Sequence, residues 1–134
     1  MADNEMTVSF PGGKRVTAHY DGFDILTDQS LKYGGDASAP EPYDLFLASL
    51  ATCAGIYVLG FCAKRDIPTE GIRLVQRWKR DDKGRLARLE IDIELPAGFP
   101  EQYQDAVVRS ANQCAVKKTM ESPPEMVVRT ITRD

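Results

Sequence analysis

Apolar and polar residues alternate along the chain from Met6 to Phe10, from Lys14 to Tyr20 and from Phe23 to Thr27. The first two runs are separated by Pro11-Gly12-Gly13 and the last two by Asp21-Gly22. Period two with such punctuation predicts an antiparallel meander of three strands. Asp28 to Pro42 follows, a polar stretch holding Gly34, Gly35 and Pro40, and long enough for a working loop. The pattern then changes completely. From Leu45 to Ala63, inside the run Pro42 to Arg65, no residue carries a charge. Such a segment predicts a central helix that is apolar all round and must be covered all round. Pro42 suits a first helical turn, Asp44 the positive end of the helix dipole, and Lys64 and Arg65 the negative end.

Beyond the turn at Asp66 to Thr69, alternation returns from Gly71 to Arg80 and from Arg85 to Leu95, joined at Asp82-Lys83-Gly84. This is the clearest hairpin in the sequence. Glu101 to Asn112 has helical spacing with one polar face, Cys114 to Glu121 a further short helix, and Glu125 to Thr132 a closing strand. The predicted order is βββαββααβ, an α+β domain rather than an alternating βαβ one, with residues 1–134 as a single domain. One small domain covers only part of a helix without a polar face. Two copies packed through their central helices would cover the rest, and Ala48, Ser49, Ala51, Ala54, Gly55 and Gly60 permit close approach. An intimate homodimer is therefore expected. The run is about long enough to span a bilayer, but it is rich in small residues and no second span accompanies it, so no membrane role is expected.

Composition narrows the functions. With 134 residues and a formal charge of -3, the chain offers no basic surface for nucleic acid or anionic lipid. The charges of the long hairpin, Arg73, Arg77, Lys79, Arg85 and Arg88 against Glu90, Asp92 and Glu94, read as cross-strand pairs. The opening MADNEM is acidic and polar, unlike a secretory leader. Cys53, Cys62 and Cys114 are an odd number at wide spacing, so a disulfide framework is not expected and a cytoplasmic location is. One histidine, His19, and no Cys-x-x-Cys pair leave no expected metal site, and no phosphate loop or G-x-S-x-G elbow is present. No cofactor is expected.

Any chemistry then lies with the cysteines. Cys53 and Cys62 are nine residues apart on one helix, about 13.5 Å along its axis and on opposite sides, so they cannot bond to each other. Cys62 is read as a small core residue. Cys53, mid-helix, needs a cation from elsewhere in the fold to be reactive, whereas Cys114 starts a short helix beside Lys117 and Lys118, which favours a thiolate. From spacing alone, structural and reactive roles for Cys53 and Cys114 are both open.

The run PYDLFLASLATC at 42–53, followed by CAVKK at 114–118, resembles the osmotically inducible protein C and organic hydroperoxide resistance (OsmC/Ohr) superfamily, and so does the order of elements. The resemblance implies an intertwined homodimer with both central helices at the interface. It also implies reduction of organic hydroperoxides, with Cys53 as the peroxidatic thiol and Cys114 as the resolving one, and regeneration by a dithiol such as a lipoylated protein. In the family an arginine held by a glutamate supports the first thiol. At the glutamate's place this chain has Tyr43, with Asp44 next to it; the arginine's counterpart is Arg15 or, from the loop, Lys32. Ala115 stands where the family's second motif has proline. Arg15 and Lys32 can equally be ordinary surface charges. Beside the peroxidase stand two other readings, a dimer binding a small apolar or thiol-reactive ligand at its interface and a dimer whose buried cysteines do no chemistry.

Overall fold

A computed structural model describes residues 4–134; the first three residues of the opening MADNEM lie outside it. Two compact units divide the chain, one up to Ala48 and one from Ser49 onwards. In the first, β1 (Thr7–Gly12), β2 (Arg15–Tyr20) and β3 (Phe23–Thr27) form an antiparallel sheet in the order β1-β2-β3. Asp21 and Gly22 both take positive φ, 49° and 81°, the mirror-image turn whose twist matches that of the strands it joins. Register places His19 opposite Thr7 on one side and opposite Asp24 on the other.

The long loop of this unit is built on one carboxylate. Asp28, 1% exposed, accepts hydrogen bonds from the amides of Gln29, Asp36 and Ser38 and from the Ser38 hydroxyl, at 2.7, 3.3, 3.0 and 2.6 Å. The chain folds so tightly here that a Cβ on Gly35 would come within 2.1 Å of the Gln29 carbonyl oxygen. These bonds hold the Asp28 carboxyl at about 2, with the Ser38 hydroxyl contributing most.

The central helix, α1 (Pro42–Ala63), starts in the first unit and continues through the second. At its start the Glu41 amide donates to Asp44 Oδ2 at 2.9 Å. At its end Arg65 donates to the Phe61 carbonyl at 3.0 Å and lays its guanidinium over the Phe61 ring, 3.7 Å from the centroid. Both termini thus use the charges expected of them.

In the second unit α1 packs with a two-stranded antiparallel sheet, β4 (Arg73–Arg80) and β5 (Leu86–Glu94), and with α2 (Gln104–Ala111), which a 3-10 turn at Glu101–Tyr103 introduces. Val58, Phe61, Cys62, Phe99 and Val107 are its buried centre, edged by Leu74, Ile93 and Tyr103. Each fully buried large aliphatic or aromatic side chain of this kind contributes about 1.5–3 kcal/mol. Arg73 with Glu94 at 2.8 Å and Arg77 with Asp92 at 2.7 Å pair across the hairpin as expected, whereas Arg88 pairs with Glu90 on its own strand and Arg85 with Asp81 in the turn. α3 (Ala115–Glu121) completes the unit.

One finding departs from the expected picture and one agrees with it. The closing strand does not form within the single chain: residues 123–134 have no strand pairing, and Met126, Val127, Val128 and Ile131 are 84, 66, 95 and 81% exposed. A strand needs an edge to pair with, and alternation alone does not supply one. The central helix is also covered on one side only. Leu50, Ala54, Val58, Phe61 and Cys62 are buried, while Thr52, Ile56, Leu59 and Gly60 form an exposed stripe with Ile56 at 62%. By length and composition α1 could cross a membrane, but its buried side belongs to the core of the second unit.

Candidate functional site

Cys53 and Cys114 meet in the second unit. Cys53 is half-buried, midway along α1, and Cys114 is the residue immediately before α3, 2% exposed. Their side chains are hydrogen-bonded to each other, and the backbone N–H groups of Val116 and Ala115 also donate to Cys53. α3 therefore begins at the sulfur of Cys53. The break after α2 produces this arrangement: the helix ends at Ala111, the Cys114 amide bonds the Ala111 carbonyl at 3.2 Å, and a new helix starts whose first amides have no carbonyl of their own helix to bond and turn to the two sulfurs.

The electrostatics differ between the two thiols. The Val116 amide, then the Cys114 side chain, outweigh desolvation and bring the Cys53 thiol below its ordinary value, with the Ala115 amide adding to the effect. Cys114 goes the other way. Burial raises it, the hydrogen bond with Cys53 raises it further, and the Lys117 amide, 3.5 Å from its sulfur, only partly offsets this. The two thiols are shifted in opposite directions, Cys53 towards the thiolate and Cys114 towards the thiol. A thiolate that meets an oxidant under these conditions has a second sulfur at hand before further oxidation can occur.

Lys117 and Lys118, which by local sequence favour a thiolate at Cys114, are engaged elsewhere in the structure. Lys117 Nζ bonds Asn112 Oδ1 and Lys118 Nζ bonds Gln113 Oε1, both at 2.7 Å, so the two ammonium groups are tied to side chains before the helix. Burial then dominates at Cys114. The support expected for Cys53 from a distant cation is supplied here by backbone amides. The amides of Ala115 and Val116 were not singled out as functional groups from the sequence, although one signal was present: alanine at 115 carries an N–H that proline lacks.

Cys62 is fully buried in the core, and desolvation raises it, consistent with a packing role. Beside Cys114 lies a cavity of about 630 Å³ whose wall includes Leu50, Ile91, Ile93, Val107 and Lys117. Among the described residues no group of three His, Cys, Asp or Glu side chains comes together to hold a metal.

The other candidates belong to the first unit, where each has a local partner. Arg15 Nη2 pairs with Asp36 at 2.9 Å and its Nε donates to Ser38 Oγ at 3.2 Å, so the loop built on Asp28 also holds this guanidinium. Lys32 sits on a 3-10 turn with its ammonium 5.4 Å from the Tyr33 ring centroid. Tyr43 packs against Phe46, ring centroids 5.4 Å apart, and Asp44 accepts the Glu41 amide at the helix start.

Comparison with known proteins agrees with this architecture. The family model described as OsmC-like protein matches residues 35–129. No curated protein matches the chain in sequence. Among solved structures, a Psychrobacter arcticus 273-4 protein of the osmotic stress induced and detoxification response superposes with a TM-score of 0.74 at 22% identity, over 89% of each chain. An OsmC-like protein from Mycoplasma pneumoniae gives 0.70 at 17% identity, over 89% of this chain and 87% of that one. An organic hydroperoxide resistance protein OsmC from Legionella pneumophila gives 0.57 at 20%, over 90% and 91%. At these identities the superpositions establish a shared fold, and the match over residues 35–129 includes both Cys53 and Cys114. With more than half of its length matched by that model, this chain belongs to the OsmC-like family.

Proposed function

We propose that the protein is a thiol-dependent peroxidase that reduces organic hydroperoxides. The observation that carries this reading is the hydrogen-bonded pair Cys53 and Cys114, in which the first thiol is acidified and the second is not. The Cys53 thiolate attacks the terminal peroxide oxygen, the O–O bond breaks, and the alkoxide leaves as the alcohol after taking a proton. Cys53 is left as a sulfenic acid. Cys114 then attacks that sulfur, water departs, and a Cys53–Cys114 disulfide remains. A dithiol reductant, such as a lipoylated protein, returns both thiols by exchange. The cavity beside Cys114 has a mixed wall, in which Leu50, Ile91, Ile93 and Val107 offer apolar surface to the hydrocarbon part of an organic hydroperoxide.

The working form on this reading is a cytoplasmic homodimer. The exposed stripe Thr52, Ile56, Leu59 and Gly60 and the unpaired apolar tail from Met126 to Ile131 are what a second copy would cover, the tail as a strand added to a sheet edge. Consumption of cumene hydroperoxide with dihydrolipoamide as reductant tests the activity. Wild type is expected to turn over and to prefer the organic peroxide to hydrogen peroxide, with Cys53→Ser inactive. Equal rates in wild type and Cys53→Ser would refute it and leave binding of a small apolar or thiol-reactive ligand as the use of the site.

A further inference from the structure

The exposed face of the three-stranded sheet carries a second cluster with chemical potential, apart from the thiols. Ser9 on β1, His19 on β2 and Asp24 on β3 point to the same face, His19 being opposite Asp24 and diagonal to Ser9. The Ser9 hydroxyl is 2.8 Å from His19 Nε2, and His19 Nδ1 is 2.7 Å from Asp24 Oδ1. A carboxylate at Nδ1 fixes the proton there, so Nε2 accepts from Ser9. The order serine, imidazole Nε2, imidazole Nδ1, carboxylate is that of an activated serine nucleophile. Asp24 and Leu26 also border an open hollow of about 710 Å³ with Arg15, Ala39, Pro40 and Leu45 in its wall. The hollow meets the cluster at Asp24 on the β3 side, Ser9 and His19 lying outside its wall, and Leu26, Pro40 and Leu45 are its apolar part. β1 is the outer strand of this sheet, and successive amides along a strand face alternate sides, so one of the Val8 and Ser9 amides points away from β2 and can donate to an oxyanion.

We propose that Ser9, His19 and Asp24 form an acyl-transfer site that hydrolyses esters of small apolar acids, independently of the cysteines. Ser9 Oγ bonds to the ester carbonyl carbon as its proton passes to His19 Nε2. The bond to the alcohol breaks, and the alcohol leaves with that proton. Water, deprotonated by the same nitrogen, then releases the acid and restores Ser9. Asp24 stabilises the imidazolium in both halves. No redox partner or metal is required.

Two probes test this on the full chain. A fluorophosphonate forms a stable bond to an activated serine with loss of fluoride, and mass mapping of the tryptic peptide ending at Lys14 reads labelling at Ser9. p-Nitrophenyl butyrate reads turnover, measured in Cys53→Ser protein so that the acidified thiol does not compete. Labelling at Ser9 is expected in wild type and absent in Ser9→Ala. His19→Gln is expected to slow labelling and turnover about 100-fold, the lower range of general-base catalysis, with Asp24→Asn also slow. Ser9→Ala alters an exposed side chain, and unchanged circular dichroism would show that its fold is intact. No label at Ser9, or labelling that His19→Gln and Asp24→Asn leave unchanged, overturns the proposal.

Discussion

At Cys53 the deciding partner is a backbone amide. The Val116 amide, then the Cys114 side chain and the Ala115 amide, favour the thiolate over the thiol. Ala115→Pro removes one of these donors and leaves the cysteines in place. The expected outcome is a higher Cys53 pKa, read as a shift of the pH–alkylation profile towards alkaline pH; an unchanged profile would mean that the Ala115 amide contributes nothing. The sign follows from the thiolate being the nucleophile: a lowered pKa extends reactivity to lower pH, and losing a stabilising donor withdraws it. Local sequence left the roles of Cys53 and Cys114 open, and their ranking came only from the family resemblance. Lys117 and Lys118 look like acidifying neighbours of Cys114 until the structure ties them to Asn112 and Gln113 and buries the thiol.

Among the elements, the loop on Asp28 shows how one buried carboxylate organises a segment with little regular structure. Its carboxyl is held at about 2 against an ordinary 3.8, a depressed folded-state value. The stabilisation it contributes is therefore fully present above about pH 4 and is lost as pH falls through about 2. Asp28→Asn is expected to be less stable than wild type in urea at about pH 6, with the gap narrowing as pH falls from about 4 through about 2. A gap of constant size would contradict the hydrogen-bond account. The loop's length was legible from its glycines and prolines, whereas the use of Asp28 was not, because its four donors come from residues up to ten positions away. Strands and helices were legible where period and punctuation agreed, as at Asp21-Gly22. The closing strand failed within one chain for a different reason: pattern describes a strand's faces and says nothing of where a free edge lies.

On the scale of the whole molecule, the half-covered central helix is the main unsolved demand of a single chain. An apolar stripe of this kind exposed to water favours association, which is the physical basis for the proposed homodimer. Ile56→Glu puts a charge on the stripe without touching the buried side. Light scattering is expected to show a dimer for wild type and a monomer for this variant; two identical masses would argue that the stripe is not the contact. The apolar stripe left exposed on the helix was legible from the uncharged run, Leu45 to Ala63. The pairing of Cys53 with Cys114 was implied only by resemblance, since it depends on how α3 starts against α1. That pairing is also the centre of the functional account. Its most direct measurement is a thiol count with disulfide mapping after one equivalent of an organic hydroperoxide under anaerobic conditions. The account predicts loss of two thiols per chain with Cys53 joined to Cys114, and Cys62 untouched. Survival of the thiols, or oxidation of Cys53 alone with Cys114 still free, would contradict it.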